Sequence, residues 1–216
     1  MKTLIISIFF LMIFSLNCNA NVSVITGKIG NTQYTVTYNL SGKNIVVTNE
    51  KEFKFKLSGY AVDNIFVKDL NSDGNDEIIY LDLSGISVGG NLNIIFWNGN
   101  TFKKITTDKY SNKISLLEDN NKIYILLMQH DTDDLYFVSD LYVFKNFKIL
   151  ESKSNSAINK LIKEYEEKAN TSKEDWIKSR YYSYISILYK KVFNNKQVIK
   201  YQEKARLYDE NNPFLK

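Results

Sequence analysis

Nine consecutive residues, Asp69-Leu70-Asn71-Ser72-Asp73-Gly74-Asn75-Asp76-Glu77, gather oxygen donors at a spacing suited to a hard cation. Calcium takes six to eight oxygens at about 2.3–2.6 Å, from carboxylates, amides and backbone carbonyls alike. Asp69, Asn71 and Asp73 stand at positions 1, 3 and 5 of the run, which point inward when the backbone curls around an ion. Gly74 at position 6 permits the sharp turn, Asn75 at position 7 can offer its carbonyl, and Glu77 at position 9 closes the site. An EF-hand needs a bidentate Glu at position 12, which here is Tyr80, so the loop is not of that type. The same residues also suit an acidic turn whose Asp and Asn side chains cap their own backbone. Redox-inert calcium would act here as a staple for the two flanking strands, with an affinity of about 10⁻⁴ M sufficient outside the cytoplasm.

A second acidic run, His130-Asp131-Thr132-Asp133-Asp134, follows the apolar segment ending at Met128. Asp131 and Asp133 are spaced as a general acid/base pair, and the run equally reads as a polar hairpin turn. His130 is the single histidine, so no zinc site or relay built on two histidines is available. Gly85, Gly89 and Gly90 are followed by no helix and so do not form a phosphate-binding turn. Neither a nucleophile elbow nor HExxH occurs, and no catalytic residue is assigned.

Two kinds of element must hold these residues. From Val22 to about Leu150 the apolar residues alternate or form short β-branched and aromatic runs, as in Tyr34 to Tyr38 and Phe53 to Leu57. Ile94 to Trp97 leads into Asn98-Gly99, a hairpin turn signal, and Phe102 to Ile105 returns; Ile123 to Met128 and Leu141 to Phe144 continue the series. This pattern predicts antiparallel β structure over 21–152. After Ser152 the period becomes helical: Ile158, Leu161, Ile162, Tyr165 and Ala169 form one stripe. Thr171 and Ser172, followed by Glu174 and Asp175, resemble capping boxes that open a helix from about Lys173 to Val192. A third helix is expected from about Lys196 to Tyr208. The predicted class is α+β: an antiparallel β-rich N-terminal domain (a sandwich or a partial propeller-like sheet) followed by a three-helix segment over 153–216.

The acidic loop lies between the strand-like runs Ile65 to Val67 and Ile78 to Leu81, and in this setting it resembles the FG-GAP or VCBS repeats of integrin-type β-propellers. The resemblance covers about 62–105, including Ile94 to Phe102 as the closing strand–turn–strand. It implies a structural Ca²⁺ bound by the side chains of Asp69, Asn71, Asp73 and Glu77 with the Asn75 carbonyl. Only one such loop is present, and 130 residues are too few for a six- or seven-bladed ring. Further on, Val198 to Asn212 is similar to the second helix of a tetratricopeptide (TPR) unit, which would span 179–212, about the 34 residues of one repeat. Ile185 and Tyr189 then take large apolar positions and Ala205 the small packing position, while Ser186, Val198 and Glu210 depart from the pattern. One helical hairpin cannot bury its own face, so it must pack on the preceding helix, the β domain or another protein. Tyr181, Tyr182 and Tyr184 would line a partner face if exposed, or the core if not.

The chain opens with Met1-Lys2-Thr3, an apolar run from Leu4 to Leu16, and Cys18-Asn19-Ala20 before Asn21. This is the layout of a cleavable secretory signal over 1–20. The run of about 13 residues is shorter than the roughly 18 of a membrane-spanning helix. Cys18 is an alternative lipid attachment point, although Ser15 and Asn17 depart from the lipoprotein pattern. Removal of Cys18 leaves no cysteine, hence no disulfides. Residues 21–150 carry 13 basic and 15 acidic side chains, and 151–216 carry 14 and 9, with only two arginines and no dense basic run. That distribution argues against a nucleic-acid surface. The resulting expectation is an exported, periplasmic or secreted, non-enzymatic binding or adaptor protein with an extracytoplasmic protein partner. A cell-envelope hydrolase with an acidic cleft and an inhibitor or immunity-type protein are the alternatives.

Overall fold

The computed structural model describes residues 22–39, 43–59, 61–84, 89–132 and 135–215. Residues 1–20, where a signal sequence is expected, lie outside these residues with Cys18, as do Gly85, Asp133 and Asp134. Twelve strands form three four-stranded antiparallel sheets, each an up-and-down meander in chain order. Sheet I holds β1 (Val22–Ile29), β2 (Thr32–Asn39), β3 (Asn44–Thr48) and β4 (Glu52–Lys56). Sheet II holds β5 (Ala61–Lys68), β6 (Glu77–Leu83), β7 (Gly90–Trp97) and β8 (Phe102–Ser111). Sheet III holds β9 (Lys113–Asp119), β10 (Lys122–His130), β11 (Tyr136–Lys145) and β12 (Lys148–Glu151). Helices α1 (Asn155–Thr171), α2 (Asp175–Lys191) and α3 (Asn195–Arg206) follow, with a 3-10 turn at Pro213–Leu215.

Turn chemistry sets the meanders. Asn120-Asn121 and Asn146-Phe147 are two-residue hairpin turns with both residues at positive φ (49° and 59°; 50° and 58°). That backbone matches the right-handed twist of the strands it joins, and Asn tolerates it better than most residues. At Asn98-Gly99 the Asn98 side chain accepts from the N–H groups of Asn100 and Thr101, and Gly99 takes φ +95°.

The period-2 alternation of the strands explains how the sheets stack. In β6, Ile78 and Tyr80 belong to the core shared with Tyr34, Val36, Ile45 and Val47 of sheet I. Ile79 and Leu81, one residue out of phase, belong to the core shared with Ile125, Leu127, Tyr142 and Phe144 of sheet III. Sheet II is therefore buried on both faces, which is why Ile78-Ile79-Tyr80-Leu81 is continuously apolar. In β10 the same logic sends Ile125 and Leu127 toward sheet II, and Tyr124 and Leu126 into a third core with the helices. A register shift between Leu127 and Met128 lets Val138 and Leu141, three residues apart, face the helices together. The order of layers is thus sheet I, sheet II, sheet III and helices, one sheet more than a two-sheet sandwich.

The helices lie within one or two residues of the predicted spans. Ala157, Ile158, Leu161, Ile162, Tyr165 and Ala169 form the buried stripe of α1. The expected capping boxes do not form. Thr171 ends α1, its hydroxyl donating back to the Glu167 and Lys168 carbonyls, and the N-cap of α2 is Glu174 without a side-chain cap bond. Ser172 instead accepts from the Glu174 N–H at 3.4 Å, turning the chain between the helices. Tyr182 and Tyr184 are buried and Tyr181 packs against the same core, so the helical hairpin rests on α1 and sheet III. Tyr165, Tyr181 and Tyr184 contact one another edge-on or tilted at 5.7–5.9 Å, a favoured aromatic geometry.

Candidate metal centre

The Asp69–Glu77 loop joins β5 to β6 at one end of the central sheet. Leu70, at its second position, is 5% exposed and belongs to the core between sheets II and III, which pins the loop at its start. Two residues at positive φ curl the chain: Ser72 (62°) and Gly74 (85°). Open space surrounds the position a Gly74 Cβ would take, so glycine is favoured there by the backbone angle alone.

The predicted side chains converge on the inside of this curl. Asp69 accepts the N–H of Asp73 (3.2 Å) through Oδ1 and that of Gly74 (2.9 Å) through Oδ2. The Asp73 N–H also reaches Asn71 Oδ1 at 2.9 Å, and the Asn71 amide donates to Asp73 Oδ2 at 3.0 Å. Asp73 Oδ1 accepts both the backbone N–H and the side-chain amide of Asn75, at 2.8 and 2.9 Å. Glu77, the first residue of β6, is 1% exposed, and its Oε2 accepts the Leu70 N–H at 2.8 Å. Asp69, Asn71 and Asp73 are thus linked within the loop, while the Glu77 carboxylate is tied to Leu70 at its closing end. The Asn75 side chain bridges Asp73 and the β1–β2 turn, its Oδ1 accepting from Gly30 at 3.1 Å, while its backbone carbonyl takes no hydrogen bond among the described residues.

Charge is out of balance here. Asp69, Asp73, Asp76 and Glu77 lie within nine residues, and no ion pair reaches any of them among the described residues. The Glu77 carboxyl is pushed up to about 8, chiefly by burial, with Asp73, Asp69 and Asp76 adding to the rise and the Leu70 N–H opposing it. Among the described residues no group of three or more His, Cys, Asp or Glu is already arranged to hold a metal ion, the loop oxygens being turned to the loop's own N–H groups. The donor set nevertheless suits a hard cation. It is all oxygen, and a carboxylate has about four acceptor sites, so those of Asp69 and Glu77 retain capacity beyond the bonds they make.

Sequence reasoning missed the support from sheet I. Asp76 accepts the Lys28 N–H through Oδ2 at 2.9 Å, donates its own N–H to the Lys28 carbonyl at 2.8 Å, and accepts the Tyr34 hydroxyl on its carbonyl at 2.8 Å. Gly30 donates to the Gly74 carbonyl at 3.1 Å, and Ile29 and Asn75 form an antiparallel bridge. The β1–β2 turn is therefore docked on the outside of the loop. Asp76, the one acidic residue with no position in the ion pattern, was the available signal.

The second acidic run has a different fate. Asp131 is almost fully buried; its Oδ2 accepts the Tyr184 hydroxyl at 2.5 Å and lies 3.5 Å from Arg180 Nε. Arg180 in turn donates to Asn212 Oδ1 at 3.3 Å. Asp131 thereby ties the β10–β11 connection to α2 and the C-terminal turn. His130 is exposed and packs edge-on against Tyr136 at 5.3 Å. No protein-family model, curated protein or solved structure matches the chain.

Proposed function

We propose that this is an exported, non-enzymatic binding or adaptor protein whose three-sheet stack is stapled by a structural calcium ion at Asp69, Asn71, Asp73, Asn75 and Glu77. The observation that carries the calcium reading is Glu77, a carboxylate withdrawn from water in a loop of four acidic residues without a counter-cation. A divalent cation relieves that imbalance, and an ion here would tie β5 to β6 beneath the docked β1–β2 turn. The likeness of the loop to FG-GAP and VCBS repeats supports the same reading. Export rests on the signal layout of residues 1–20 and fits a calcium-rich, disulfide-free setting. Among the described residues no helix is long and apolar enough to cross a membrane.

The binding role rests on the absence of a catalytic motif in the sequence and on the engagement of Asp131 in a buried ion pair, which takes it out of use as a free acid. The TPR-like reading of α2 and α3 is kept for the hairpin's architecture, with Ile185 and Ala205 buried at its packing positions. Its tyrosines being core, the partner surface must lie elsewhere. Thermal melting with EDTA and with added calcium tests the staple: EDTA should lower the melting temperature, and Asp73→Ala should remove the difference. Equal melting in both buffers would rule the ion out.

A further inference from the structure

The central sheet carries polar side chains on a face that is otherwise core. Ile78, Tyr80 and Ile95 pack toward sheet I, and period-2 alternation puts Asp82, Asn91 and Asn93 on that same face. Register aligns them: Asp82 lies opposite Asn91, and Asn91 opposite Tyr110. A carboxylate, an amide and a phenol therefore form one row across β6, β7 and β8. They line a recess of about 130 Å³ that the β4–β5 connection closes at Ser58 and Gly59. Asp82 is 8% exposed and, among the described residues, is the one charged side chain in the lining. The recess is built by close approach of backbones. A Cβ on Gly59 would lie 1.9 Å from the Leu83 carbonyl oxygen, and one on Gly90 2.2 Å from that of Asp82, so neither position has room for a side chain. A register shift sets Thr107, Asp108 and Lys109 against Leu92 alone and brings Tyr110 back onto the face.

Both Asp82 oxygens accept a backbone N–H at 2.7 Å, Oδ2 from Ser58 and Oδ1 from Gly59. In the next row Asn93 donates to the Asn91 carbonyl at 2.9 Å and accepts the Thr106 hydroxyl at 2.6 Å. Ser84 Oγ gives its proton to the Gly89 carbonyl at 3.2 Å, so the Tyr110 hydroxyl donates to it at 2.6 Å. That bond holds the Tyr110 ring, 44% exposed, at the rim. The Asn91 side-chain amide alone makes no hydrogen bond among the described residues, although it stands beside a buried carboxylate. The unspent capacity selects a ligand. A carboxylate has about four acceptor sites, so each Asp82 oxygen keeps one, while the Asn91 amide both gives and takes. An anion would meet the Asp82 charge with no lysine or arginine in the lining to offset it. A hard cation wants about six to eight oxygens and would find one carboxylate, already engaged by two N–H groups. An ammonium group would leave the Asn91 donors unused. A hydroxyl gives to Asp82 and takes from Asn91, and two adjacent hydroxyls use the whole set. The volume is below the roughly 300–1,000 Å³ of a site for a larger ligand, so the edge of one ring enters.

Resting on the binding role proposed above, we propose that this recess binds the diol edge of a neutral sugar, with Asp82 accepting, Asn91 donating and the Tyr110 ring covering the sugar's C–H face. The probes are the methyl glycosides of glucose, galactose, mannose and N-acetylglucosamine, the matching free sugars, methylammonium and acetate. In NMR titrations up to about 100 mM, at least one glycoside or free sugar should shift the amide signals of Gly59, Asp82 and Asn91, with the millimolar affinity expected of so small a ligand. The analogue lacking one of the two hydroxyls should bind at least about tenfold more weakly, because it leaves a site group unpaired. Asn91→Leu should abolish the shifts at an unchanged melting temperature, since that side-chain amide makes no hydrogen bond among the described residues. Tyr110→Ala should weaken binding without abolishing it. Asp82 lies toward the other end of β6 from Glu77, so EDTA should leave the affinity unchanged. Binding of glycoside and free sugar alike means a residue of a glycan; binding of the free sugar alone means a soluble sugar. Equal shifts from methylammonium or acetate, full binding in Asn91→Leu, or no shift at these amides from any sugar overturns the proposal. If no sugar binds while a protein partner is captured from the host's extracytoplasmic fraction, the sugar site falls and the binding role stands; if neither is found, both fall.

Discussion

The Leu70 N–H donates to Glu77 Oε2 at 2.8 Å, joining the second residue of the acidic loop to its last. Leu70 is held in the core between sheets II and III, so the bond draws the carboxylate out of water with it. One hydrogen bond of this kind is worth about 1.5–3 kcal/mol when the acceptor is charged, too little to offset the burial of a carboxylate among three others.

A pH dependence follows for the cation-free protein. The Glu77 carboxyl is raised from 4.5 to about 8, so the folded chain keeps a proton that the unfolded chain loses in that window. Linkage then makes this group's contribution largest below about pH 4.5 and lost as pH rises through about 8. In EDTA, melting temperature should fall across that range by circular dichroism, and Glu77→Gln should flatten the slope. A melting temperature that climbs over the same interval through Glu77 would contradict the buried-acid account.

Calcium should reverse the trend, because it replaces the proton with a bound charge. At a hundredfold excess over its dissociation constant a ligand specific to the folded state adds about 2.7 kcal/mol. For a chain of this length that is about 5–10 °C in melting temperature. The gain should grow from pH 6 to pH 8, as the competing proton leaves. Asp69→Ala and Asp73→Ala should each abolish it, whereas Asp76→Ala should weaken the docking of the β1–β2 turn and spare the calcium response.

The Asp131–Arg180 pair predicts a stability effect where a catalytic acid would predict an activity effect. Both side chains are nearly closed to solvent, at 6% and 11%. Asp131→Ala leaves Arg180 buried without its partner and should cost about 3–5 kcal/mol. Tyr184→Phe removes the 2.5 Å bond to the same carboxylate and should cost about 1.5–3 kcal/mol. Chemical denaturation checks both, and the double variant should cost less than the sum, since each single variant already removes the same Tyr184–Asp131 bond.

Legibility of the fold followed the strength of local patterns. The alternation in β2 and β4, the Asn98-Gly99 turn and the apolar stripe of α1 each state one geometry, and each formed. β3 and β9 were less visible because about half their residues are polar and β9 is turned by Asn112 and Asn120-Asn121 with no glycine. The continuous apolar run at Ile78 to Leu81 announced a strand but not its two-sided burial between different sheets, which depends on partners far away in the chain. The candidate ligands were readable from spacing, since positions 1, 3, 5 and 9 fix where short side chains point. The β1–β2 turn docked on Asp76 is a contact across 48 residues, and nothing in the loop itself announces it. The capping boxes failed because Thr171 was already taken as the last residue of α1.

A last prediction concerns how the helical hairpin is closed. Asn212, 1% exposed, donates to Ser179 Oγ at 2.7 Å and Ser183 Oγ at 3.1 Å, and accepts from the Phe214 N–H at 3.0 Å and from Arg180. Ser179 passes the link on to the Ala205 carbonyl at 2.9 Å, so one amide joins α2, α3 and the terminal turn. Asn212→Ala removes all four bonds and should cost about 2–6 kcal/mol, at about 0.5–1.5 kcal/mol for each net bond. Phe193, 79% exposed in the turn between the same helices, should tolerate alanine within about 0.5 kcal/mol. Hydrogen exchange separates a local from a global loss: in Asn212→Ala the amides of α3 and of Pro213–Leu215 should lose protection first, while those of sheet II stay slow. Uniform loss of protection across all three sheets would mean that the hairpin and the β stack open as one unit, and that the amide at 212 helps hold the whole chain.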